Sequence, residues 1–170
     1  LYRTGTAGIA RDPARATALF EQAIAEGDPG AARRLGEMLV RGDAGPADFD
    51  RGVTLVSVAA DAGDGGALLL LGDFHSRPEY GHVDPALAAD YYERASQAGN
   101  AAGLTRLGDL YRRGTDGLDA DGATAASFYE QSAAQGDNGA RRNLAAMLLD
   151  GSAKLAAVAP SASRPSVPRR

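Results

Sequence analysis

The sequence predicts an all-α fold, an α-solenoid of stacked antiparallel helix pairs repeating about every 36 residues, and three sets of markers carry that prediction. The pair Leu-Gly recurs as Leu35-Gly36, Leu71-Gly72 and Leu107-Gly108, with Leu144-Ala145 in the fourth place. Gly27-Asp28, Gly63-Asp64, Gly99-Asn100 and Gly136-Asp137 keep the same phase, and so do Asp12, Asp48, Asp84 and Asp121. Such self-similarity at a fixed period is the signature of a repeat architecture, in which each unit buries its apolar face against its neighbours. The units expected are about 1–28, 29–64, 65–100 and 101–137, with a partial fifth at 138–151.

Each unit reads as two helices. The second opens at the recurring Asp, whose carboxylate accepts amide protons at an N-cap, and Pro13 and Pro85 occupy a first helical position where a missing N–H costs nothing. It closes at the recurring Gly, which adopts the left-handed conformation without a Cβ clash. Second helices are therefore expected over 13–26, 49–62, 85–98 and 122–135. Within them Phe20, Val56, Tyr92 and Tyr129 hold one bulky position, and Ala23, Ala59, Ala95 and Ser132 hold a small one three residues on.

The first helix of each unit starts just after the Gly-Asp turn. Ala31, Ala67, Gly103 and Ala140 are small at one position, and Leu35, Leu71, Leu107 and Leu144 follow four residues later on the same helical face. A repeated mid-helix Gly costs about 1 kcal/mol relative to Ala, so Gly36, Gly72 and Gly108 imply close backbone approach by a neighbouring helix. Gly42, Gly114 and Gly151 end three of these helices, and Pro78 ends the other.

The segments LGEML, LGDFH and LGDLY, each followed by a turn, together with D-x3-A-x3-[FY]-[YE] and A-x-x-G-[DN], resemble the Sel1-like repeat (SLR) family, relatives of tetratricopeptide repeats. The resemblance covers residues 1–151. Three departures stand out: Leu144-Ala145 lacks the glycine, Val56-Ser57 lacks the aromatic and the acid, and His75 stands where the family often has Tyr. The resemblance implies a right-handed superhelix and a non-enzymatic scaffold that binds a protein or peptide partner on its concave face. It also implies two alternatives: a periplasmic adaptor in an envelope or exopolysaccharide secretion complex, and a hydrolase of cell-wall or β-lactam-type compounds. Some relatives pin their repeats with cysteines, and this chain has none.

Composition narrows the chemistry. The 170 residues carry no Cys, which excludes disulfides, a thiol nucleophile and thiolate metal sites. Two His, no Trp and 6% aromatics leave little for metal chemistry or base stacking. Net charge is −4, but Lys154, Arg164, Arg169 and Arg170 all follow Gly151, so residues 1–151 hold 14 bases against 22 acids, a net −8. A body of that sign repels phosphate backbones, and no nucleic-acid partner is expected. No apolar run approaches the roughly 20 residues that span a bilayer, so no membrane insertion is expected of this segment. No cofactor or metal is expected either: the acids of GTDGLDADG lack the closing Glu of a calcium loop, and His82, in the turn EYGHVD, has no third ligand in view. No G-x-S-x-G elbow, phosphate loop or nucleophile with a base appears, so no catalytic residue is named.

Binding candidates lie on the first helices. Glu37, Asp73 and Asp109 hold one position expected to be exposed, Arg41, Arg77 and Arg113 follow at i+4, and Arg34 and Arg106 precede at i−3. Stacked units would align these as ladders on the concave face. Pairs at that spacing also stabilise a solvated helix by a few tenths of a kcal/mol with no partner at all. Leu69 and Leu70 interrupt the polar face and read either as packing residues or, with Leu70, as an apolar anchor for a partner. His75 reads as a half-buried packing residue.

Both ends read as cut from a longer bacterial protein. Leu1-Tyr2 and Gly5 align with Leu110-Tyr111 and Gly114, inside the last turn of a first helix. After Gly151 no Asp cap or aromatic continues the pattern, and three prolines among residues 152–170 suit a disordered tail, native or from a shifted reading frame. Uncapped solenoid ends are prone to self-associate. The compartment, cytoplasm or periplasm, is left open.

Overall fold

The computed structural model describes residues 10–115 and 118–152. Among them are eight α-helices: α1 (Pro13–Ala25), α2 (Pro29–Arg41), α3 (Phe49–Asp61), α4 (Gly65–Ser76), α5 (Pro85–Gln97), α6 (Ala102–Arg113), α7 (Gly122–Ala134) and α8 (Asn138–Asp150). A short 3₁₀ turn, Pro78–Tyr80, follows α4. The chain forms two compact units, Leu1–Leu71 and Gly72–Arg170, whose boundary falls within α4. The expected turn at residues 116–117, the opening segment and the tail beyond Ser152 lie outside the described residues.

Caps set the helix boundaries. Asp12, Asp48, Asp84 and Asp121 accept from the amides of Arg15, Arg51, Leu87 and Thr124 at 2.9 to 3.1 Å, as the spacing of the recurring Asp predicts. The aspartates of the Gly-Asp turns cap the first helices as well: Asp28, Asp64 and Asp137 accept from the amides of Gly30, Gly66 and Gly139 at 2.8, 2.8 and 2.6 Å. The glycine before each of these aspartates, and Gly99 before Asn100, is left-handed, with φ of 90° at Gly27, 87° at Gly63, 85° at Gly99 and 95° at Gly136. A side chain there would be strained, so the dipeptide reverses the chain and starts the next helix in two residues.

Within the first unit, α2 packs on α1 and on α3. The core there includes Leu35, Met38, Val56 and Ala59, all at most 1% exposed. In the second unit α5, α6, α7 and α8 pack in succession, around Phe74, Tyr92, Leu110, Tyr129 and Met147.

The recurring mid-helix glycine has a specific neighbour. A methyl group on Gly72 would stand 2.5 Å from Cδ1 and Cε1 of Tyr92, and one on Gly108 would stand 2.5 Å from Cε1 of Tyr129. The expected close approach of backbones holds at Gly36, where the nearest atoms include the carbonyl oxygen of Gly52 at 2.6 Å. At Gly72 and Gly108 the approaching group is instead an aromatic ring, because the following helix carries Tyr where α3 carries Val56. The bulky residue of the second helix thus lies across the glycine of the first.

Replacing Gly72 or Gly108 by Ala raises helix propensity by about 1 kcal/mol but drives a methyl into a fully buried ring, which costs roughly 1–3 kcal/mol or more. Urea unfolding is expected to show net destabilisation for both variants. A gain in stability would mean that the ring moves aside at little cost.

Candidate partner-binding cleft

The polar face of the second unit is assembled around two aspartates that directly follow the ring-bearing glycines. Asp73, on α4, accepts the hydroxyl proton of Tyr92 from α5 at 2.9 Å and the Nε proton of Arg106 from α6 at 3.0 Å, both on Oδ1. Its Oδ2 takes Arg77 Nη2 at 3.2 Å. Ser76 Oγ shares a 2.7 Å hydrogen bond with the Tyr92 hydroxyl. Asp109, on α6, repeats the arrangement: its Oδ1 accepts from the Tyr129 hydroxyl of α7 at 2.6 Å and from Asn143 Nδ2 of α8 at 3.1 Å. Each aspartate therefore ties its own helix pair together and reaches the first helix of the following repeat.

These carboxylates do not stand in solvent as the i,i+4 pattern suggests. Their side chains are 15% and 20% exposed, because each tyrosine lies on the preceding glycine and aims its hydroxyl at the aspartate. Burial, the Asp73 charge and its hydrogen bond push the Tyr92 hydroxyl far above the usual tyrosine range. Burial and the hydrogen bond to Asp109 raise Tyr129 to about 12, with Arg112 opposing. Both tyrosines hold their protons and act as donors.

An open cleft of about 340 Å³ lies above this network, between the end of α4 and α6. Of the residues singled out from sequence, Asp73, Arg77, Arg106, Asp109 and Arg113 all line it. Glu37 and Arg41 pair with each other at 2.8 Å on α2 in the first unit. Arg34 is exposed on the same helix, and Leu69 and Leu70 are half-buried. Arg77 pairs with Asp73 at 3.2 Å as the spacing suggests, but Arg113 does not pair with the Asp109 carboxylate. Arg113 Nε donates to the Asp109 backbone carbonyl at 3.2 Å, while Arg106 Nη1 stands 3.8 Å from the Asp109 carboxylate.

Sequence reasoning missed Tyr92, Tyr129 and Asn143, and also Arg112, whose Nε donates to the Tyr129 hydroxyl at 3.3 Å. A signal was present: each tyrosine follows its aspartate by 19 or 20 residues. It also missed bonds that cross from one repeat to the next cap. Arg33 Nε donates to Asp64 at 2.8 Å within the first unit. In the second, the Thr105 hydroxyl donates to Asp137 at 2.8 Å and shares a 2.8 Å bond with Ser132. His75 is half-buried and stacks on Tyr91 with ring centroids 6.0 Å apart. Among the described residues no group of three His, Asp or Glu side chains is placed to hold a metal, and no helix is long and apolar enough to cross a membrane.

Comparison with family models matches the Sel1 repeat over residues 1–28, 29–64, 66–100 and 101–137. The chain belongs to the Sel1 repeat family. Among solved structures it is similar to c5321, a protective antigen present in uropathogenic Escherichia coli strains that displays an SLR fold, at 28% identity and a TM-score of 0.70 over 88% of this chain and 32% of that one. A Sel1 repeat protein from Oxalobacter formigenes is similar at 26% identity and 0.70, over 86% of this chain and 59% of that one. Cysteine rich protein B of Helicobacter pylori shares the fold at 23% identity and 0.55, over 75% of this chain and 96% of that one. No curated protein matches. The chain spans about a third of the first structure and three-fifths of the second.

The cap carboxylates carry a pH signature. Burial works against ionisation of Asp64, yet Arg33 and the amides of Gly66 and Ala67 outweigh it and hold the pKa below 3.8. Burial likewise opposes Asp137, and Thr105 with the amides of Ala140 and Gly139 lowers it. Because the folded values lie below the unfolded one, the stabilisation is complete above about pH 4 and is lost as the pH falls through the lower folded values. Unfolding at pH 3 should thus need less urea than at pH 6, with a smaller difference in Asp64→Asn and Asp137→Asn. An unchanged pH slope in both variants would remove these caps from the account.

Proposed function

We propose that this Sel1 repeat chain is a non-enzymatic scaffold that docks a protein or peptide partner across the polar first-helix face of its second unit. Sel1 repeat proteins are generally protein-interaction scaffolds, which sets the class. The observation that supports this particular face is its cross-bonding: Asp73, Arg77, Arg106 and Asp109 are held by bonds among α4, α5, α6 and α7 before any partner arrives. Side chains already fixed lose little rotamer entropy on binding, which otherwise costs about 0.5–1.5 kcal/mol for each long side chain. Charge on such a face governs partner choice and encounter rate more than affinity.

A pull-down with residues 1–170 from a lysate of the cells that make the protein tests this, beside an Arg77→Glu/Arg113→Glu variant of equal helicity by circular dichroism. The scaffold reading predicts a partner retained by the parent chain and depleted about tenfold or more by the variant, since two reversed charges cost well over 1.4 kcal/mol. Equal capture by both, or none by either, would contradict this face as the docking surface.

A further inference from the structure

Among the described residues that line the cleft, the cationic side chains outnumber the acidic ones. Four arginines line it, Arg77, Arg106, Arg112 and Arg113, against the three acids Asp73, Glu79 and Asp109. Those acids are already engaged. Asp73 receives Tyr92, Arg77 and Arg106, Asp109 receives Tyr129, Asn143 and more distantly Arg106, and Glu79 stands 3.6 Å from Arg77. Among the described residues Arg112 and Arg113 each commit only Nε, to the Tyr129 hydroxyl and to the Asp109 carbonyl oxygen, and neither has a carboxylate within ion-pair distance. Both are exposed, and they are neighbours at the last turn of α6.

A guanidinium presents five N–H donors in a planar fork, so each of these two keeps its terminal pair of nitrogens for an external acceptor. The sign of the site is also opposite to its surroundings. The lining sums to +1 while residues 1–151 sum to −8. Asp150, outside the lining, also acts on Arg112 through space, so the site suits a single negative charge at most. A doubly charged phosphate would add a second negative charge beside Asp73, Asp109 and Glu79, where like charges oppose it.

We infer that the Arg112–Arg113 end of the cleft receives the side-chain carboxylate of an acidic peptide segment in the docked partner. This deepens the scaffold reading and rests on it. The two forks grip the carboxylate, and the bonded network of Asp73, Tyr92 and Arg106 forms the rigid floor. Residues 1–151 are acidic, and attraction to the basic tail, which carries Lys154, Arg164, Arg169 and Arg170, is told apart because it shifts the tail's arginine signals and not those of Arg112 and Arg113.

The test uses the whole chain and an acetylated, amidated hexaglutamate peptide, with the side-chain Nε–H signals of the arginines followed by NMR. Addition of the peptide should shift the Arg112 and Arg113 signals saturably. Arg112→Gln/Arg113→Gln should weaken binding about tenfold or more, as loss of charge-assisted pairs does. Since Arg112 also supports Tyr129, the single variant Arg113→Gln, which leaves that bond intact, should weaken it in the same direction. Absent shifts, equal shifts with hexaglutamine, or unchanged affinity in both variants would overturn the inference. So would a phosphoserine-bearing hexaglutamine, or hexaglutamine with a free C-terminus, that binds tenfold tighter than hexaglutamate. The two readings fail separately. A pull-down partner retained by Arg112→Gln/Arg113→Gln would leave the scaffold standing and remove the carboxylate site, whereas hexaglutamate binding without any captured partner would do the reverse.

Discussion

A tyrosine laid across a glycine, with its hydroxyl donated to the next residue along, is the contact on which the second unit depends. Gly72-Asp73 receives Tyr92, and Gly108-Asp109 receives Tyr129. The dipeptide does two things at once. Its glycine removes the Cβ that would collide with the ring, and its aspartate satisfies a hydroxyl that burial would otherwise leave without a partner, at a cost of about 1–3 kcal/mol. The same carboxylate then accepts Arg106 or Asn143 from the following first helix, so the joint within one repeat becomes the joint to the next.

The first unit reaches close packing by another route. Val56 has no hydroxyl to place, so α3 instead brings the backbone of Gly52 against Gly36, and Glu37 turns to Arg41 on its own helix. The crossing bond moves to the cap, where Arg33 reaches Asp64. Thr105 and Asp137 do the equivalent in the second unit beside the tyrosine joint. One fold therefore carries two kinds of polar tie, and the repeats with tyrosine build the aspartate-floored cleft.

Much of this was legible in the residues. Helix positions followed from periodicity, and the ends followed from Asp and Gly, because caps and left-handed turns are local and chemically narrow. The bulky and small positions were also legible, since Tyr92 and Tyr129 recur in phase. What was not legible was which end of the tyrosine mattered. Periodicity reports that a side chain is buried, and says nothing of where its hydroxyl must go. The acids Asp73 and Asp109 looked exposed because i,i+4 spacing to Arg is the pattern of a solvated helix, and only the packing of α5 and α7 covers them. The aspartates of the Gly-Asp turns were read as turn markers, although an Asp two residues before an amide is itself a cap signal. Arg112 escaped notice because it has no counterpart of like charge one period earlier, where Ser76 stands.

For function, the consequence is a surface whose charged groups are positioned by the same bonds that join the repeats. Under the proposed docking, fold stability and partner recognition would share residues, and the donors of Arg112 and Arg113 would sit on a floor that cannot shift without opening the joint. The most direct measurement is a double-mutant cycle in urea unfolding with Asp109→Ala, Tyr129→Phe and the combination. If the aspartate and the tyrosine hydroxyl form the joint described, Tyr129→Phe costs stability in the parent chain and much less once Asp109 is gone, a coupling of about 1 kcal/mol or more. Additive effects, with Tyr129→Phe costing the same in both backgrounds, would contradict the account and leave the ring packing on Gly108 as the whole of the contact.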